Sequence, residues 1–323
     1  MTPVTRSTTG RGLPNVAPMK MSIVGAGSVG TAIAYASAIQ GVGDEIVLYD
    51  LDGPKATAEI LDLQHGLQFV PATTVSGGDD LTACAASDVV VITAGAKQKP
   101  GQSRLDLAGA NADITRDLVP RLLDLAPDAV LLFVTNPVDV VTFVAQEIAV
   151  AHGVDHHRVI GSGTVLDTSR LRHRLAAQLG VAVQSVHATI VGEHGDSEIA
   201  LWSSANVGGE PLGFPSDELD ELLHEVRHAA YRIIEGKGAT NLAIGLSTAR
   251  ILAAIDDDEH AVLPISTRHA IDGVGEVCLS LPTVVGSGGV VATLDVPLSD
   301  AERAGLQASA RAIRTVIDQV TGG

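Results

Sequence analysis

The segment IVGEHGDSE, residues 190–198, sets His194 in a glycine-flanked turn directly after a run of β-branched residues. An imidazole in such a turn can work as a general acid or base if a second group fixes which ring nitrogen carries the proton. Asp167, in GTVLDTSR, is the candidate for that group: a carboxylate accepting from Nδ1 leaves Nε2 to exchange a proton and stabilises the charged ring. Arg170 follows three residues later and so shares a helix face with Asp167. On spacing alone two readings of that pair stand side by side. One is a surface ion pair of little worth. The other is a division of labour in which Asp167 serves His194 while the Arg170 fork takes a substrate carboxylate in bidentate fashion.

A second set of residues is suited to phosphate. VGAGSVG places Gly25, Gly27 and Gly30 in a Gly-x-Gly-x-x-Gly pattern, after a strand and at the opening of a helix. Glycines so spaced let the backbone approach a pyrophosphate, whose charge then rests on N–H groups at the helix N-terminus. Asp50 ends the next strand, twenty residues beyond Gly30, where a carboxylate can bind adenosine ribose hydroxyls. With Asp50 acidic and no Arg beside it, NAD is favoured over NADP, because a 2′-phosphate would meet a like charge. A third stretch, VVVITAGAKQKPGQSRLDL (residues 89–107), changes from buried-strand composition to a polar loop carrying Lys97, Gln98, Lys99 and Arg104. A buried strand needs no such ending.

The elements that must hold these groups alternate in the first half of the chain. KMSIVG, SVGTAIAYASAIQ, DEIVLYD and GPKATAEILDLQHGL give strand, helix, strand, helix, and SDVVVITAG and DAVLLFVTNP are continuously apolar, as strands covered on both faces are. The reading is α/β: a Rossmann doubly wound parallel sheet at residues 20–160, after a loose tail at 1–19, followed by an α+β substrate domain at 161–323. In that second part TVLDTSRLRHRLAAQLG and SDELDELLHEVRHAAYRIIEGKG are helical, the latter with Leu219, Leu222, Leu223, Val226, Ala230 and Ile233 on one face. AVLPISTRH, EVCLSLPTVVG and VVATLDV read as strands, and a closing helix starts at Ser299.

Composition narrows the class. A chain of 323 residues, 46% hydrophobic and 18% charged, can bury a large core. A formal charge of −17 opposes binding to nucleic acid and to anionic membrane surfaces. No unbroken apolar run reaches membrane-spanning length, and the first 18 residues lack the apolar centre of a secretory signal. The two cysteines, Cys84 and Cys278, lie in apolar segments, which fits reduced thiols and a cytoplasmic location. His152 and His156 are four residues apart, but no third ligand is recognisable, so no metal site is expected.

Taken in order, SIVGAGSVGTAIAYA, DEIVLYD, VVVITAGAKQKPGQSRLDL, FVTNPVDVVTF, RVIGSGTVLDTSRLR, IVGEHGDSE and KGATNLAIGLS resemble the lactate and malate dehydrogenase superfamily from Lys20 to Val320, and the bacterial L-lactate dehydrogenases in particular. The resemblance implies NAD as cofactor, His194 as proton donor and acceptor with Asp167 as its partner, Arg170 as carboxylate anchor, and Asn136 near nicotinamide and substrate. Thr240 and Ile244 would wall the pocket. The 89–107 segment would be a lid that brings Arg104 to the carbonyl that becomes the alcohol oxygen. Gln98 stands where malate dehydrogenases typically carry Arg, which favours pyruvate and L-lactate over a dicarboxylate, although Lys97 and Lys99 leave room for polar 2-oxo acids. Residues matching Arg172 and His187 bind fructose 1,6-bisphosphate across a two-fold interface in the responsive members, which implies a homotetramer. Two other readings remain: a malate or other 2-hydroxy acid dehydrogenase, and a non-enzymatic dinucleotide-binding protein. Against the second, a protein that only binds has no need of His194, Asp167, Arg170 and Arg104 together.

Overall fold

The computed structural model describes residues 18–96 and 104–322; Gln98 lies outside them, and of Arg104 only the backbone is described. The first half runs β1 (Lys20–Val24), α1 (Ser28–Gln40), β2 (Glu45–Tyr49), α2 (Gly53–Gly66), β3 (Thr74–Gly78), β4 (Val89–Ile92), α3 (Arg104–Leu125), β5 (Val130–Phe133), α4 (Val138–Ala151) and β6 (Val159–Gly161). Its six strands are parallel in the order 6-5-4-1-2-3, with the reversal of direction at β1 and β4. Every residue of β4 and β5 is buried, which explains their unbroken apolar runs: helices cover both faces, so neither face selects polar residues. Glycines beyond the last turns of α1 (Gly41, φ 70°) and α5 (Val165–Leu179; Gly180, φ 67°) supply the left-handed residue that ends each helix.

The second half continues through β7 (Val186–His187), β8 (Ile190–Val191), β9 (Ile199–Ala200), β10 (Asn206–Val207), β11 (Glu210–Pro211), α6 (Ser216–Lys237), α7 (Leu242–Asp256), β12 (Ala261–Ile271), β13 (Gly275–Gly286), β14 (Gly289–Thr293) and α8 (Asp300–Thr321). Its long strands do not build a sheet of their own. β12 joins β6 antiparallel through the register pair Ser266–Gly161, so that β12, β13 and β14 extend the parallel sheet to nine strands. A Cβ at Gly161 would lie 2.6 Å from Thr142 Oγ1 and 3.0 Å from Ser266 Cβ, so this junction closes only around a bare backbone. Ser299 caps α8, accepting from the Glu302 N–H while the Glu302 carboxylate accepts from the Ser299 N–H, and this reciprocal cap fixes where the helix begins.

The amphipathic reading of α6 holds for its first half only. Leu222, Leu223 and Val226 are buried against Leu171, Leu175 and Ile190, but Ile233 is exposed and Ala230 lines a cavity. The helix outruns the body it packs on, and its last turns face the site described next.

Candidate functional site

The glycine loop sits at the reversal point of the sheet, between β1 and α1. Gly25 has φ 116°, and a side chain there would meet Thr93 Oγ1 at 2.6 Å and Ala94 N at 2.8 Å; one at Gly30 would meet the Gly25 carbonyl at 1.9 Å. Around Gly27, which precedes the first turn of α1, nothing lies within 4 Å of an added Cβ. Two glycines therefore let the loop close on β4 and on itself, and the third opens a cradle at a helix N-terminus, the shape and polarity a pyrophosphate needs. Asp50 faces the same loop. Its Oδ2 accepts from the Ala26 N–H (2.8 Å) and its Oδ1 from the Asp52 N–H (3.0 Å). Burial opposes its charge, but these N–H groups and the Lys55 ammonium, 3.3 Å away, hold the carboxyl below the usual aspartate range. The sequence reading weighs only the lack of an Arg beside Asp50; Lys55, five residues downstream, is folded back onto the end of β2 by α2.

The candidate acid–base group assembles from two segments, α5 and the turn after β8. Asp167, in the first turn of α5, is buried, and each carboxylate oxygen has a partner: Oδ2 accepts from His194 Nδ1 at 2.6 Å and Oδ1 from Arg170 Nη1 at 2.7 Å. Neither of the two readings of the Asp167–Arg170 pair is quite what is found. The pair is not a surface ion pair, because Arg170 is only 15% exposed. Nor is Asp167 reserved for His194, since it also anchors one arm of the Arg170 fork and leaves Nη2 and Nε for another anion. A carboxylate cannot donate, so the Asp167 contact assigns the Nδ1 proton to His194 and leaves Nε2 as the exchanging nitrogen. The Asp167 charge, against the cost of burial and with help from Asp139, pushes His194 up to about 9. Burial likewise opposes the charge on Asp167, yet His194 and Arg170 hold it below its ordinary value.

The turn that carries His194 is held from three sides. Gly192 exchanges backbone hydrogen bonds with Ser280 of β13 (2.8 and 2.9 Å), and the Glu193 N–H donates to Ser309 Oγ of α8 (2.8 Å). The His194 N–H donates to Asp139 Oδ2 (2.8 Å), whose other oxygen accepts from Ser266 Oγ (2.6 Å). Asp139 is wholly buried, which pushes it up to about 7 against those two bonds. It was missed in sequence, where it reads as an ordinary first-turn acid of α4.

A cavity of about 410 Å³ opens in front of this group, lined among others by Asn136, Asp167, Arg170, His194, Glu198 and Arg227. Asn136 is placed there by Asn111 of α3, a buried amide that donates to the Asn136 carbonyl (2.6 Å) and accepts from the Ala96 N–H (2.7 Å). Asn111 thus ties the end of the segment after β4 to the pocket, a link no spacing rule predicts. Glu198 and Arg227 were also missed. Glu198 is buried and its Oε1 has no hydrogen-bond partner among the described residues; burial first, and the Asp167 charge second, push it up to about 9, so it holds its proton at neutral pH. Arg227 donates to the Glu198 carbonyl.

Thr240 and Ile244 are not among the residues lining this cavity; Ile244 packs partly buried against the main apolar core. Arg172 donates from Nε to the carbonyl of Ala188 (2.8 Å), the residue that follows the exposed His187. His152 turns its ring to the Ile148 carbonyl (2.8 Å), away from His156. Asp155, His156 and His157 hold possible ligand atoms within 4.8 Å of one another at the surface, with the Asp155 carboxylate already accepting from the His157 N–H (2.9 Å). Among the described residues, no helix is long and apolar enough to cross a membrane.

A nucleotide cradle and a charged acid–base pocket on one sheet have counterparts among known proteins. Residues 19–161 match the model of the lactate/malate dehydrogenase NAD binding domain, and residues 164–322 that of the lactate/malate dehydrogenase alpha/beta C-terminal domain. An L-lactate dehydrogenase of Bifidobacterium animalis subsp. lactis is 47% identical over 315 residues, covering 94% of this chain and 98% of that protein. One of a Synechococcus species is 49% identical over 309 residues, covering 94% and 99%. The ligand-bound crystal structure of the minor L-lactate dehydrogenase of Enterococcus mundtii superimposes with a TM-score of 0.89 at 40% identity, covering 94% of this chain and 98% of that one. Two family models that between them span nearly the whole of the described chain, and relatives matched over almost their full length, leave one conclusion: the chain belongs to the lactate/malate dehydrogenase family.

Proposed function

We propose that the protein is an NAD-dependent L-lactate dehydrogenase interconverting pyruvate and L-lactate. The observation that carries this reading is the Asp167 carboxylate, shared between His194 and Arg170 in the cavity. One buried anion there orients a proton donor and a carboxylate anchor together. Gly25, Gly27, Gly30 and Asp50 would hold NAD, which supplies hydride acceptance and return at its nicotinamide when bound. His194 Nε2 gives its proton to the carbonyl oxygen in reduction and takes it back in oxidation. Arg170, with Nη1 fixed on Asp167, offers its remaining N–H groups to the substrate carboxylate and sets the orientation of the carbonyl carbon. Asn136 adds a polar contact at the cavity wall. Arg104 and Gln98, by family resemblance, polarise the carbonyl and read the far end of the substrate, whereas Thr240 and Ile244 stay outside the cavity lining described above.

The family's bisphosphate response is part of the same reading. Arg172 would supply the cation and His187 an exposed imidazole, and burial lowers the Arg172 pKa, so a phosphate there would meet a poorly solvated guanidinium. Exposed apolar side chains on neighbouring helices, Tyr35 and Ile39 of α1 with Leu242 and Leu246 of α7, fit subunit contacts of a homotetramer. Two buried, unbridged thiols suit the cytoplasm, where the enzyme would serve glycolytic fermentation. Oxidation of NADH with pyruvate against oxaloacetate tests the substrate. A preference for oxaloacetate would return the chain to the malate branch, and no turnover with either would favour a binding protein. Pyruvate saturation curves with and without fructose 1,6-bisphosphate test the regulation, and superimposable curves would remove it.

A further inference from the structure

The surroundings of Asp50 hold more charge than a ribose-binding carboxylate requires. Lys55, in the first turn of α2, reaches back to within 3.3 Å of Asp50 Oδ2 and is still partly exposed. Its own backbone N–H is capped by Asp52 Oδ1 (3.2 Å). On the other side of the helix start, an added Cβ at Gly53 would lie 2.6 Å from Asp79 Oδ2, so the Asp79 carboxylate rests against the first residue of α2. The start of α2 thus gathers three carboxylates, Asp50, Asp52 and Asp79, and one ammonium, of which Asp50 and Lys55 form the ion pair.

Resting on the NAD reading of this site, we propose that Lys55 sets how strictly it rejects a 2′-phosphate. Paired with Asp50, the ammonium offsets part of the carboxylate's repulsion, so NADPH binds weakly instead of being excluded. With Asp50 gone, Lys55 becomes the phosphate's partner. Asp50 alone would make the choice one of sign only; the Asp50–Lys55 pair makes it one of balance, which substitutions in either direction can tip.

Dissociation constants of NADH and NADPH, measured by calorimetric titration on the full-length protein, test this directly. Removing the ammonium in Lys55→Met should raise the ratio of the NADPH to the NADH constant by up to about fivefold, the limit for a partly exposed charge pair. Asp50→Ser should lower that ratio by about tenfold or more, as expected for a charged hydrogen bond gained, and the double variant should lose most of that gain. Melting curves without cofactor establish that Asp50→Ser is folded, since it loses the Ala26 and Asp52 bonds; if it is not, Lys55→Glu, which should weaken NADPH binding by a larger factor than NADH binding, carries the test alone. Equal changes in both constants for Lys55→Met would overturn the proposal, as would a wild type that binds NADH but no NADPH at millimolar concentration. A wild type that binds neither dinucleotide would overturn the cofactor reading itself.

Discussion

Replacing Asp167 by Asn removes the first of the charges that keep His194 protonated while preserving the size and outline of the side chain. Moving an imidazole from 6.5 to about 9 is a difference of about 2.5 pH units, or about 3 kcal/mol of preference for the charged ring at 1.36 kcal/mol per unit. An opposite charge at hydrogen-bonding distance accounts for about 1–3 of such units. Burial continues to oppose the charge in the variant, and Asp139 is the carboxylate left in its favour. Pyruvate reduction needs the proton on His194, so kcat/KM for pyruvate should be flat at neutral pH in the wild type and fall above about 9. In Asp167→Asn that alkaline limb should move down by at least about one unit. Lactate oxidation needs the neutral ring, and its rising limb should move down by the same amount, because one titration governs both. The pair also stabilises the fold: its contribution is full below pH 6.5 and is lost as pH rises through about 9. Measured limbs that stay in place in both directions would refute the assignment of Asp167 as the counter-charge, whatever happens to the absolute rate.

His194→Asn should keep its NADH affinity and lose about 10²- to 10⁴-fold in the single-turnover rate, since the glycine cradle makes no contact with the ring; unchanged chemistry would remove His194 from the reaction. Gln98→Arg should shift the ratio of specificity constants from pyruvate toward oxaloacetate by about tenfold or more, and a fixed ratio would mean that Gln98 does not read the substrate. Glu198→Gln copies the protonated acid, so activity at pH 7 should be retained and the loss of stability between pH 7 and 10 should be smaller than in the wild type, because the wild-type carboxyl is pushed up to about 9 by burial and favours its protonated form there. A large loss of activity at pH 7 would point to an ionised Glu198 instead.

The glycine pattern, Asp50 and the order of strands and helices were legible because each depends on local chemistry: backbone freedom, a carboxylate at a strand end, a period of two or of 3.6. His194 and Asp167 were legible as types, and the contact between them follows from β8 delivering the turn to the first turn of α5. For Arg170 spacing left an ion pair with Asp167 and a substrate anchor as alternatives, because it cannot reveal that one carboxylate serves two donors. Asp139, Asn111, Glu198 and Lys55 escaped notice for a common reason. Each looks like an ordinary polar residue of a helix or turn; tertiary packing puts the first three against Ser266, Asn136 and Arg227, and the turn into α2 puts Lys55 against Asp50. The division of the chain at residue 160 followed the change of rhythm, which marks where parallel pairing ends and carries no information about the sheet continuing.

Asp139 leaves α4 in the nucleotide half and holds both Ser266 of β12 and the backbone of His194, beside the Ser266–Gly161 seam. Severing the chain near Gly161 would consequently not release two working modules. The amino-terminal fragment would bare Ile160 and an unpaired edge, and the carboxy-terminal one would hold a histidine turn with nothing to fix it. Grafting the nucleotide half of a relative onto this substrate half therefore succeeds only if α4 and β6 travel with their own β12. The heritable unit of catalysis here is the seam, and recombination should find its tolerated crossovers away from it.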